Sequence, residues 1–73
     1  MVETVHAQVG LRMRAMRDAL GLDQAELARR LGLDRTSVAN IETGRQRLQL
    51  HTVEKIATAF GCTPKHLMKG IWW

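Results

Sequence analysis

Residues 35–40 contain side chains that could contact the base edges of double-stranded DNA. Arginine can bind guanine O6 and N7, asparagine can bind adenine N6 and N7, and threonine or alanine can touch a thymine methyl group. At about 100° per residue, one arc of a helix would present Arg35, Thr36, Ala39 and Asn40. Val38 and Ile41 would lie on the opposite side. The spacing favours base reading, although any amphipathic helix has a polar face that can simply be solvated.

The other reactive side chains do not form a catalytic or metal-binding pattern. Ser37 is the only serine and lacks the glycines of a nucleophile elbow. Cys62 is the only cysteine, so it has no disulfide partner in the chain, and we expect a buried or half-buried thiol. His6, His51 and His66 lack the spacing of metal ligands. We therefore expect a protein that is not an enzyme and has no metal, cofactor or evident small-molecule ligand.

Charge and hydropathy narrow the range of partners. Eleven lysine and arginine residues against seven acidic ones give a net charge of +4, which suits a polyanion such as DNA or merely keeps a small domain in solution. No apolar run approaches the roughly 20 residues of a membrane span. The first ten residues include Glu3 and do not resemble a signal peptide. We expect a cytoplasmic protein that does not bind membranes.

Two predicted helices must position the polar arc. Residues 24–31 repeat apolar groups at helical spacing, and Asp23 with Glu26 forms an N-terminal capping box. Gly32 ends this helix, since glycine adopts positive φ at little cost. Asp34 then caps a second helix over residues 35–42. The sequence thus predicts a helix-turn-helix.

Three further helices complete the predicted fold, a compact all-α five-helix bundle. The first helix has Val9, Met13, Met16 and Leu20 on its inner face, and Gly10 weakens the case for extending it back to Val2. Inward residues of the fourth are Leu50, Val53, Ile56, Ala57 and Phe60. Thr63 and Pro64 start the fifth, which ends near Gly70.

The predicted domain occupies residues 8–70. Residues 1–7 form an N-terminal extension that could be helix, arm or disorder, and residues 71–73 form an apolar C-terminal tail. This tail contains Trp72 and Trp73. A chain end frays by default, but adjacent tryptophans favour packing on the domain or on a second subunit.

Residues 8–68 resemble the Cro/phage-repressor type of helix-turn-helix domain, the xenobiotic-response-element-like family. The resemblance rests on the segments IETGR at 41–45 and VGLRMRAMR at 9–17. It also rests on five positions at the family's spacing, namely Gln24, Ala28, Gly32, Val38 and Ile41. The family implies the lambda-repressor-like DNA-binding fold.

Particular residue roles follow from this resemblance. Arg35, Thr36 and Asn40 match base-reading positions, and a salt bridge between Arg17 and Glu42 is implied. Contacts to DNA phosphates are implied for Gln24, Thr43, Arg45 and Arg47. The implied function is that of a transcriptional regulator, a phage or bacterial repressor that binds a two-fold operator as a homodimer and blocks a promoter sterically.

Some positions depart from the family pattern. Aspartate stands at Asp23 and Asp34, where serine or threonine is common, and the loop before the fourth helix lacks a frequent proline. Asp34 can act as a cap only, or can also accept a hydrogen bond from cytosine N4. The alternative function is an antitoxin or another protein-binding module, with residues 1–7 and 71–73 as the second surface.

Overall fold

A computed structural model describes residues 4–71, so Met1, Val2, Glu3, Trp72 and Trp73 lie outside the described part of the chain. The five helices are α1 (Val5–Ala19), α2 (Gln24–Leu31), α3 (Arg35–Glu42), α4 (Leu50–Ala59) and α5 (Pro64–Met68). Within residues 4–71 there is no strand, which confirms the predicted all-α five-helix fold. The proposed packing of the two tryptophans concerns residues that are not described.

Local capping sets most helix boundaries. The side chains of Asp23, Asp34 and Thr63 each accept a hydrogen bond from a backbone N–H three residues later. α2 ends at Gly32, whose φ of 69° is the left-handed conformation expected there. α1 begins at Val5, inside the range predicted as an extension, because the Thr4 hydroxyl accepts from Ala7 N–H.

The core lies where α1, α2 and α3 meet and continues to α4 and α5. Its buried apolar residues are Val9, Met13, Leu27, Ala28, Leu31, Val38, Ile41, Val53, Ile56, Ala57 and Leu67. Cys62 packs against this cluster as a half-buried thiol. No helix of the described chain is long and apolar enough to cross a membrane.

Two predictions about the core are wrong. Leu50, predicted to point inward, is 85% exposed, because it is the first residue of α4 and lines the rim of a groove. Leu20, predicted on the inner face of α1, is also exposed, since it follows the last helical residue as the C-cap.

Candidate nucleic-acid interface

α3 has one buried side and one side open to solvent. Val38 and Ile41 are fully buried and fasten the helix to the core. Arg35 and Thr36 at its N-terminal end are exposed, and Ala39 and Asn40 are partly exposed. The polar arc expected from the spacing is therefore accessible on the surface.

Asp34 caps this helix as a carboxylate. Its Oδ1 accepts a hydrogen bond of 2.7 Å from Ser37 N–H. The hydrogen bond from the Ser37 backbone, and to a smaller extent the one from its hydroxyl, holds the pKa of Asp34 below its ordinary value. A negative charge thus stands one residue before Arg35 at neutral pH. The geometry supports the cap and is also compatible with cytosine recognition.

The orientation of α3 depends on a buried ion pair. Arg17 Nε donates to Glu42 Oε2 at 2.7 Å, and Arg17 Nη2 donates to Glu42 Oε1 at 3.0 Å. Arg17 is 9% exposed and Glu42 is 4% exposed. This hydrogen bonding is the main reason that the pKa of Arg17 is raised, against the opposing effect of burial. The two-pronged geometry fixes direction as well as distance between α1 and α3.

The same carboxylate also connects to α2. Gln24 Nε2 donates to Glu42 Oε1 at 3.1 Å, and Arg17 Nη1 donates to the carbonyl of Leu22 at 2.8 Å, in the turn before α2. A primary amide has two N–H donors, so the bond to Glu42 leaves Gln24 one donor for a phosphate oxygen. Arg17, Gln24 and Glu42 therefore join the first three helices in one network.

The segment after α3 presents two cations. Arg45 and Arg47 are exposed, while Arg45 N–H donates to the carbonyl of Asn40 at 2.9 Å. Thr43 Oγ1 donates to the carbonyl of Ala39 at 2.9 Å. These bonds extend the end of α3 into the loop, so that the cations follow the polar arc without a long flexible connection.

A close helix contact fixes the far end of α3. A Cβ atom placed on Gly10 of α1 would lie 1.9 Å from the carbonyl oxygen of Ile41, far inside van der Waals contact. A glycine is thus required where α1 crosses α3. The sequence signal for this contact is a glycine inside an otherwise regular helix, a pattern that by itself predicts only a weaker helix.

Arg12 has a structural role that its sequence context did not predict. Its Nη1 donates to the carbonyl of Leu67 at 2.8 Å and also to that of Lys69. The guanidinium therefore caps the C-terminal end of α5 from α1. Its position outside the apolar face of α1 could have been read only as solvent exposure, because the partner lies 55 residues away.

Residues that could hold a metal ion are not grouped in residues 4–71. No cluster of three or more histidine, cysteine, aspartate or glutamate side chains occurs there. The functional groups that the fold brings together are instead hydrogen-bond donors and cations on one helix and the following loop.

Sequence and structure comparisons point to one family. The sequence model of a helix-turn-helix family matches residues 13–67. A hypothetical transcription factor from Neisseria meningitidis serogroup B is 38% identical over 66 residues, covering 90% of this chain and 62% of that protein. The restriction-modification controller protein C.AhdI from Aeromonas hydrophila has a TM-score of 0.77 and 39% identity, covering 84% of this chain and 88% of that one.

A further similar structure contains DNA. The P22 c2 repressor in complex with synthetic operator 9T has a TM-score of 0.76 and 27% identity, covering 85% of this chain and 94% of that one. This chain spans less than two thirds of the two relatives from N. meningitidis and Rhodospirillum rubrum, 62% and 54% of their lengths. The residues matched by the family model begin at position 13 and so exclude the first two turns of α1.

Proposed function

Because this chain belongs to the Cro/C1-type helix-turn-helix family, we propose that it is a sequence-specific regulator of transcription that binds double-stranded DNA. The observation that supports this most directly is the combination of an exposed polar arc on α3 with a buried ion pair behind it. Arg35 is free to meet bases while Arg17 and Glu42 hold the helix from inside.

In this proposal α3 enters the major groove. An α-helix with its side chains is about 10–12 Å in diameter, which fits the major-groove width of about 12 Å. Arg35 binds guanine, Asn40 binds adenine, and Thr36 and Ala39 touch thymine methyl groups. Discrimination of about 1–3 kcal/mol is expected from each two-pronged contact.

Phosphate contacts position the reading helix. Gln24 lies in the first turn of α2, where free backbone N–H groups and the helix dipole favour an anion. After the C-terminal end of α3, Arg45 and Arg47 are exposed, and Thr43 is the C-cap of the helix. These four residues would contact the DNA backbone and carry no sequence information of their own.

We further propose a homodimer on a two-fold operator and repression by steric occupation of a promoter. One exposed arc of four residues reads only about four base pairs, too few to select one site in a genome. Two copies one helical turn apart double the sequence that is read. The protein would act in the cytoplasm, where bacterial and phage promoters are accessible.

Selection of bound sequences from a random DNA pool tests the proposal. We expect enrichment of a two-fold symmetric site with half-site centres about 10 base pairs apart. Enrichment of a single asymmetric half-site would overturn the dimer, and no enrichment above the starting pool would overturn sequence-specific reading. Transcription from a promoter overlapping the selected site should then fall as protein is added, and a rise would overturn repression.

A further inference from the structure

The loop between α3 and α4, residues 43–49, contains Arg45 and Arg47. The first turn of α1 contacts this loop at both of its ends. At the near end, a Cβ atom on Gly44 would lie 2.8 Å from the Cβ of Ala7, so the Gly44 backbone packs directly on α1. At the far end, Leu48 N–H donates to His6 Nδ1 at 2.8 Å. Residues 45–47 therefore lie between two points at which the loop contacts the first turn of α1.

The two ends of this loop are held differently. The near end also has hydrogen bonds from the N–H groups of Arg45 and Gln46 to the carbonyl of Asn40. At the far end the Leu48 N–H finds its acceptor in an imidazole ring, and the following Gln49 makes no side-chain cap for α4. His6 thus ties down the part of the loop that follows Arg47.

We propose that His6 is a positioning residue for the DNA-contacting loop and acts only when its imidazole is neutral. This inference rests on the proposed DNA-binding function, because it assigns a role to the loop's phosphate contacts. A neutral ring accepts at Nδ1 and carries its proton on Nε2, as the bond from Leu48 requires. Protonation of Nδ1 replaces the acceptor with a donor that faces another donor, and the hydrogen bond is lost.

Among the described residues that line the groove around His6, none could serve as a counterion for a protonated ring. His6 lines a groove of about 240 Å³ whose other lining residues are Val5, Val9, Leu48, Leu50, Val53 and Met68. These apolar residues come from α1, the loop, α4 and α5. The loop's charged side chains are Arg45 and Arg47, both cations, and His51, Glu54 and Lys55 of α4 line a different cleft with Arg29 and Arg30. Acid should therefore release the loop.

The test compares the wild type with His6→Asn and His6→Ala in DNA binding to the selected site. Asparagine can place an oxygen acceptor where Nδ1 stands and does not titrate between pH 5.5 and 7.5. At pH 7.5 we expect His6→Asn to bind like the wild type and His6→Ala about three- to tenfold more weakly, the range of one net hydrogen bond. On acidification to pH 5.5 the wild type should weaken relative to His6→Asn.

The comparison removes the other titrating groups. His51 and His66 are exposed and are present in the wild type and in both His6 variants, so their effect on DNA binding cancels in that comparison. His51→Asn is the matched control and should keep the wild-type pH dependence. If the wild type and His6→Asn respond equally to acid, the proposal is wrong.

A measurement without DNA separates this inference from the proposed function. Hydrogen exchange of the Leu48 amide in the free protein should be slow in the wild type and His6→Asn at pH 7.5, and at least about fivefold faster in His6→Ala, as the loss of one hydrogen bond implies. Unchanged Leu48 exchange in His6→Ala would overturn the positioning role even if DNA binds. Normal exchange behaviour with no DNA binding would instead overturn the proposed function.

Discussion

Glu42 shows how single residues determine the properties of the candidate interface. Its carboxylate is buried and accepts hydrogen bonds from Arg17 and Gln24, and no buried side-chain polar atom in the described chain lacks a partner. A buried ion pair adds little net stability because desolvation offsets the attraction, but it is costly to break on one side only. Its contribution here is orientation of α3.

Replacement of one partner of the pair tests this role. Arg17→Met should lower the free energy of unfolding by about 3 kcal/mol, because Glu42 then remains buried without a cation. Asp18→Asn is the control, since it removes only an exposed contact of 3.4 Å to Arg17. Urea denaturation measures both, and equal small losses would contradict the expected cost of leaving the Glu42 carboxylate buried without its cation.

Asp34 can be tested by separating its charge from its capping oxygen. Asp34→Asn retains a capping oxygen and should leave thermal stability near the wild type, while Asp34→Ala should lower it. If Asp34 only caps, Asp34→Asn should also bind all DNA sequences slightly more tightly, because a negative charge leaves the interface. Loss of preference at a single cytosine in a repeated DNA selection would show instead that Asp34 reads a base.

The stability that Asp34 contributes should depend on pH in a defined direction. Its folded pKa is below the unfolded value of 3.8, because hydrogen bonds from Ser37 stabilise the carboxylate. The cap therefore contributes fully above pH 3.8 and is lost as pH falls through the lower folded value. The difference in thermal stability between wild type and Asp34→Ala should shrink over that acidic interval.

The helices themselves divide into parts that sequence could predict and parts that it could not. The bounds of α2 and α3 were predicted because Asp23, Gly32 and Asp34 act on their immediate neighbours along the chain. The close approach of Gly10 to α3 and the exposure of Leu50 were missed, since both depend on which helix lies opposite. Local chemistry can be read from a sequence, whereas helix–helix contacts require the fold.

Gly10→Ala tests the crossing of α1 and α3. Alanine would gain about 1 kcal/mol of helix propensity at an open position. Here the added Cβ meets the Ile41 carbonyl at 1.9 Å, so we expect a net loss of about 2 kcal/mol in the free energy of unfolding. Ala15→Gly, at an exposed position of α1, is the control and should cost about 1 kcal/mol. A more stable Gly10→Ala protein would rule out the tight crossing.

The connection between α1 and α5 can be tested by replacing two arginines of α1 separately. Arg12→Ala removes the donor to the carbonyls of Leu67 and Lys69, so α5 should loosen and stability should fall by about 1–2 kcal/mol. Arg14→Ala removes an equal charge from an exposed position of the same helix and should change stability by less than about 0.5 kcal/mol. Hydrogen exchange in residues 67–71 should rise in the first variant alone.

For the whole molecule, the net charge of +4 says less than its distribution. Arg12 and Arg17 are used inside the fold, and Arg29 and Arg30 pair with Glu26 on the outer side of α2. Arg35, Arg45 and Arg47 are exposed on α3 and the loop after it. The family motif predicted which arginines of the candidate site are paired inside the fold and which are exposed. The composition alone could not predict this.

Two kinds of arginine substitution should therefore affect DNA binding differently. The double variant Arg35→Ala, Asn40→Ala should lose about 2–6 kcal/mol of binding free energy on the selected site and little on random DNA. Arg45→Ala should weaken all sequences similarly and reduce the slope of log affinity against log salt concentration by about one. Arg30→Ala removes the same charge from the outer side of α2 and is the control. Binding titrations at several salt concentrations distinguish these outcomes, and equal losses on both DNAs for the first variant would contradict base reading.

The network of Arg17, Gln24 and Glu42 bears on how such a protein would search a genome. In the proposed complex, Gln24 would contact a phosphate while sharing one buried carboxylate with α3, so the domain would present the same surface to every sequence it passes. No folding step would then be needed at each position, and a wrong site would be rejected because its hydrogen bonds are not made. A rigid domain of this kind can slide rapidly on phosphate contacts and pause only where the bases match.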